Sequence, residues 1–221
     1  ELWDAKEKSV AIVDENPEQQ RLYVEFLIFK MLFNKHNIKS GIFDISDIET
    51  FKKYSLIYNR YTDFYLRESA SSDIKNLFNK ALLNLSPHPY EYFLLADKQR
   101  LLDWNQQNIM PKPASLLKIY DLGFEEKDKI WSERKNLFFK PKNSFGGKQS
   151  YKGASMSRKM FEDVCNHNFI AQQLSVPATI SEKINNEPQE FKYDLRCFAY
   201  KNELQLIVAR LYQGQITNLK T

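Results

Sequence analysis

The chain has 221 residues, 43% of them hydrophobic, with 32 Lys and Arg against 28 Asp and Glu for a net charge of +4. That is enough for one large or two small domains with real cores, and the charges are scattered, so nucleic acid is not an expected partner. No apolar run approaches the ~20 residues of a bilayer span, no signal pattern precedes Val10, and Cys165 and Cys197 make no metal-spaced pair, so the expectation is a cytoplasmic protein with free thiols and no membrane partner.

In chain order, the apolar run 9–14 reads as a strand ending in an acidic turn. Asn16-Pro17 opens a helix, and residues 20–33 carry apolar side chains at helical spacing. Residues 42–45 read as a second strand, Ser46-Asp47 cap a short helix, and 56–59 read as a third strand. The β-α-β-α-β order predicts a Rossmann-like α/β sheet of parallel strands, with ligands beyond the carboxyl ends of the strands. Arg60 and Asp63 follow such an end. They either bind an acidic or amino group of a substrate or pair with each other to fix the loop. Residues 72–83 form an amphipathic helix, Ser86-Pro87-His88-Pro89 an extended segment, and 91–104 one helix containing Asp97-Lys98. A domain boundary falls near residue 95, giving domains 1–95 and 96–221.

The second half reads as α+β. A charged segment, 124–135, precedes the strand 137–141, whose aromatic neighbours fix Lys140 and whose Pro141 cannot continue a central strand. Ser144-Phe145-Gly146-Gly147-Lys148 then forms either an ordinary hairpin loop or an amide-lined concavity for an anion such as phosphate; it matches no Walker spacing. Residues 150–152 return as the hairpin partner, 157–164 form a helix, and 168–174 form a strand leading to Pro177. An antiparallel pair, 191–200 and 204–212, turns at Lys201-Asn202.

The order of these parts resembles the ATP-grasp superfamily, which includes glutathione synthetase, D-alanine:D-alanine ligase and the glutamate ligases of ribosomal protein tails. The matching features are Lys98 in its Asp-Lys helix, Lys140 on a Lys-Pro strand, the Gly146-Gly147 loop, Ala171-Gln172-Gln173-Leu174 as an adenine hinge, Asp194-Leu195-Arg196 as a D-x-R strand, and Arg210 through Thr217-Asn218. The resemblance implies ATP and Mg2+ as cofactors. Lys98, Lys140, Gly146, Gly147 and Lys148 would hold the phosphates, and Gln172, Gln173 and Leu174 would read adenine through backbone groups. Asn218 would contact phosphate or substrate, and Arg196 and Arg210 would act on the acceptor carboxylate and the transferred phosphoryl.

Residues 1–95 would be a Rossmann-like pre-ATP-grasp domain using Arg60 and Asp63 on substrate. Residues 96–221 would be an incomplete ATP-grasp domain. The implied reaction joins a small-molecule or peptide carboxylate to an amine or thiol through an acyl phosphate, with a homodimer left open. The alternative is a non-catalytic nucleotide-binding or protein-interaction module of the same fold. On the residues alone, Asp194 and Arg196 share a strand face and equally suit a simple ion pair. The acidic residue and E-x-N pair that hold magnesium in the superfamily do not follow Asn218 before Thr221. The expectation is therefore a truncated ligase, a degenerate form, or a site completed by a second chain, with metal ligands unknown.

Overall fold

Residues 7–106, 116–123, 126–144 and 149–214 are described by a computed structural model of the protein. Gly146, Gly147, Lys148 and Asn218 lie outside the described residues. The chain divides into two units, Glu1–Ala96 and Asp97–Thr221.

The first unit is built on β1 (Ser9–Asp14), whose Val10, Ala11, Ile12 and Val13 are all fully buried. A strand apolar on both faces belongs in the middle of a parallel sheet covered on both sides. Accordingly β1 lies between β2 (Lys39–Asp44) and β3 (Leu56–Asn59), with β4 (Leu85–Ser86) outside β3, all parallel. The alternation of β1 divides the core. Val10 and Ile12 pack with Phe26 of α1 (Tyr23–Lys35). Ala11 and Val13 pack with Phe51 of α2 (Ile48–Phe51) and Ile74 of α3 (Ser72–Asn79).

Several boundaries differ from the sequence reading. Asn16-Pro17 opens only a 3-10 turn, Pro17–Gln19, because Gln20 is extended, and α1 starts at Tyr23. The helix expected over 72–83 stops at Asn79; Ala81 takes a left-handed φ of 55°, after which Leu83 and Leu85 are buried. His88 caps α4 (Pro89–Leu95), its Nδ1 accepting the Tyr90 N–H at 3.1 Å while its ring meets Phe78 at 4.9 Å. The single helix expected over 91–104 is two, α4 and α5 (Gln99–Gln106). The Asp97 carboxylate accepts the Gln99 N–H at 2.8 Å and so starts the second.

In the second unit a four-stranded sheet has the order β5-β8-β6-β7, formed by β5 (Ile119–Asp121), β6 (Leu137–Pro141), β7 (Tyr151–Lys152) and β8 (Phe169–Gln173). Every pair in it is antiparallel. Leu137, Phe139, Phe169 and Ala171 face a core with Ile130 of α6 (Lys127–Glu133) and with Phe161 and Val164 of α7 (Arg158–Cys165). Gly153 follows β7 where a Cβ would come within 2.0 Å of the Arg134 carbonyl oxygen, so only glycine lets the two turns close on each other.

A second sheet, β11-β10-β9, comprises β9 (Ala178–Ile184), β10 (Glu187–Tyr200) and β11 (Glu203–Tyr212). Its β10–β11 hairpin was expected, whereas β9 and its turn, Asn185-Asn186 at φ 53° and 67°, were not. Both cysteines are free, Cys165 buried and Cys197 exposed. An α/β unit is thus followed by an α+β unit, the expected fold class.

Candidate functional site

The alternation of β6 and β8 that fills the core with Phe139 and Ala171 sends Lys140 and Gln172 to the other face. There the Lys140 ammonium runs along the Phe138 ring, 5.4 Å from its centroid, and donates to Gln172 Oε1 at 2.8 Å. These residues line a cavity of about 460 Å3. One wall is Lys140, Lys152 and the β8 exit from Gln172 to Pro177; facing it are Lys192, Arg210 and Tyr212 of the β10–β11 pair.

The hinge residues expected to read adenine all line this cavity, but their backbone differs from the expectation. The N–H groups of Gln173 and Leu174 are already donated, to Lys118 O and Asn136 O at 2.8 Å each. Ser175 and Val176, which follow, are exposed and also line the cavity.

Lys98 does not line the cavity. Its backbone N–H donates to Lys142 O at 3.0 Å, and its ammonium donates to Ser144 O at 3.1 Å and Lys142 O at 3.4 Å. Burial lowers the pKa of Lys98, and the cation of Lys140 lowers it further; burial likewise lowers that of Lys140. Among the described residues neither ammonium forms an ion pair. A half-buried cation whose charge is disfavoured by burial is stabilised by an anion bound beside it.

On the second sheet, residues directly opposite share a face, so Lys192, Asp194 and Arg196 of β10 lie with Tyr212, Arg210 and Val208 of β11. Arg210 grips Asp194 in a two-point pair, Nε to Oδ1 at 2.7 Å and Nη2 to Oδ2 at 2.8 Å. The cross-strand register gives Asp194 to Arg210, where the sequence suggested a pair with Arg196 on the same strand. Arg196 is exposed, lies 5.9 Å over the Phe198 ring, and is not among the cavity residues. Lys192, Lys152 and Tyr212 were missed. The alternation Lys192-x-Asp194-x-Arg196 was the available signal for Lys192, since it puts all three on one strand face.

In the first unit, Arg60 and Asp63 follow the carboxyl end of β3 but do not pair with each other as weighed from sequence. Arg60 forms an ion pair with Glu25 at 3.0 Å and lies over the Phe26 and Tyr58 rings. Asp63 is buried and accepts the Glu68 N–H at 2.7 Å. Both side chains therefore brace the loop after β3.

No protein-family model and no curated protein matches the sequence. Solved structures do match by shape. D-cycloserine synthetase DcsG superposes with a TM-score of 0.51 at 14% identity, over 76% of this chain and 59% of that one. N5-carboxyaminoimidazole synthase from Aspergillus clavatus, in complex with ADP and 5-aminoimidazole ribonucleotide, gives 0.47 at 10% identity, over 91% and 56%. The ATP-grasp ligase PsnB, complexed with its minimal precursor, gives 0.46 at 10% identity, over 96% and 78%. The chain spans less than two thirds of the first two. Its fold is the ATP-grasp fold.

Proposed function

We propose that this chain serves an ATP-dependent, ADP-forming ligase that joins a small-molecule or peptide carboxylate to an amine or thiol through an acyl phosphate. The observation that carries this reading is the pair of half-buried lysines beside a cavity walled by the β8 hinge: burial disfavours the charge of both Lys98 and Lys140, and the Lys140 cation disfavours that of Lys98 further. A substrate carboxylate oxygen attacks the γ-phosphorus and ADP leaves. The amine or thiol then attacks the acyl carbon, its proton is lost, and phosphate leaves. Both reactants of the first step are anions, so fixed cations must offset their repulsion. Lys98 and Lys140 supply that charge at the phosphates. Gly146, Gly147 and Lys148 cover them, Asn218 contacts phosphate or substrate, and Gln172, Gln173 and Leu174 with Ser175 hold adenine.

Arg210 and Arg196 take the acceptor carboxylate and the phosphoryl group in flight. Residues 1–95 act as the acceptor-binding domain, with Arg60 and Asp63 at its site, and residues 96–221 as the ATP-grasp domain. Magnesium would supply positive charge that offsets that of the phosphates. Among the described residues no group of three His, Cys, Asp or Glu side chains is placed to hold a metal. No described helix is long and apolar enough to cross a membrane, and we place the protein in the cytoplasm.

A second reading, nucleotide binding without turnover, is favoured by one observation: Asp194 already neutralises Arg210. Calorimetric titration tests what the two readings share. ATP with Mg2+ is expected to bind at one site, and Lys140→Met to weaken it by about tenfold or more, the worth of one charge-assisted hydrogen bond. Absence of binding at millimolar ATP overturns both. Once binding is established, release of ADP and phosphate on addition of an acceptor supports the ligase, and release of AMP counts against it.

A further inference from the structure

We propose that the Asp121–Lys142 ion pair is a positioning device for the cleft: it straps the exit of β6 across β8 to β5 and thereby holds the two carbonyls that aim Lys98. The proposal rests on the nucleotide reading only for its purpose; the geometry stands by itself. Lys142 Nζ lies 3.0 Å from Asp121 Oδ2, and both side chains are largely buried, 12% and 7% exposed. Asp121 ends β5 opposite Ile170 of β8, and Lys140 of β6 is the other neighbour of Ile170. The pair therefore crosses the middle strand, a reach of about 10 Å between the outer two, which a lysine side chain can bridge from the residue after β6.

The ends of the strap are fixed independently. The Lys142 N–H donates to Asn168 O at 2.8 Å, and Asp121 Oδ1 accepts the Gly123 N–H at 3.1 Å. With Lys142 pinned, its carbonyl accepts both the backbone N–H and the ammonium of Lys98, and two residues on, Ser144 O accepts that ammonium again. Among the described residues the hydrogen bonds of the Lys98 ammonium all go to main-chain carbonyls, and main-chain carbonyls hold a direction only if the main chain is itself anchored. A buried ion pair adds little net stability over an apolar replacement, but loss of one partner leaves the other charge unpaired. Its placement beside the Lys98 carbonyls gives it a positioning role. Neither residue touches the cavity, so neither is a catalytic residue.

The test is amine labelling of the full chain without nucleotide, with the rates at Lys98 and Lys140 read separately by mass spectrometry. Lys140 is the internal reference, since Gln172 holds it and not the strap. In Asp121→Asn and in Lys142→Met, labelling of Lys98 is expected to accelerate about tenfold, through local opening of the 142–144 segment, while Lys140 changes less than about twofold. The double substitution removes both charges and avoids leaving one buried alone, so it is the variant that decides if a single change unfolds the chain. It is expected to give the same selective acceleration, and Lys142→Arg to restore shielding. Unchanged labelling of Lys98 in the double variant overturns the proposal, as does equal acceleration of both lysines, which reports general loosening. Failure of the wild type to bind ATP would instead overturn the nucleotide reading and leave this result intact.

Discussion

Lys140 illustrates how a single residue can carry a cost in the free protein that a ligand relieves. Its ammonium is desolvated between Phe138 and Gln172, so the fold holds it less readily protonated than the ordinary lysine value of 10.5. The sign of the consequence is fixed. Between the lowered folded value and 10.5 the unfolded chain binds the proton more readily, so stability rises with pH across that window; below it the full cost of the buried charge is present. Lys140→Met lacks this dependence. Chemical denaturation of both proteins from neutral pH toward 10.5 is expected to show the wild type gaining on the variant as pH rises; parallel curves would mean that Lys140 is not held in a charge-disfavouring site. Saturating ATP should reverse the effect, because a bound phosphate favours the charged lysine.

At the scale of elements, β6 and β8 carry the site because the same alternation that buries Phe139 turns Lys140 outward. Phe139 is fully buried and meets the Phe161 ring edge-on at 5.9 Å. Phe139→Ala is expected to cost about 3–5 kcal/mol in denaturant unfolding, and a cost under about 1 kcal/mol would contradict the packing described. Elements of this kind were legible in the sequence. β1 is a short apolar run ending in an aspartate, β6 is a short aromatic strand stopped by proline, and β10–β11 are long strands meeting at Lys201-Asn202. β4 and β5 were not, because two or three residues give no period to read. β9 mixes Thr, Ser, Glu and Lys with Ile and follows Pro177 directly, so it shows no clear boundary. The break between α4 and α5 was hidden for a different reason. The apolar spacing continues through it, and only the Asp97 side chain, capping Gln99, decides that the helix restarts.

For the whole molecule, the cores stay within the two units: the clusters around Phe51 and Phe26 fall in residues 7–96, those around Phe139 and Leu102 in 97–214. The order of parts along the chain pointed to this architecture before any contact was known, since each motif occupies its own strand or loop. What sequence order could not supply was register. Lys192 beside the cavity, Arg210 opposite Asp194, and Asp121 strapped to Lys142 are all set by which residues come to face each other across strands. Motif spacing carries no information about that.

The central claim is that the cleft of the second unit takes ATP, and a crystal structure with a non-hydrolysable ATP analogue tests it most directly. The account predicts adenine against the Gln172–Ser175 backbone, with phosphate oxygens within hydrogen-bond distance of the Lys140 and Lys98 ammonium groups. An analogue bound elsewhere, or phosphates turned away from both lysines, would contradict it.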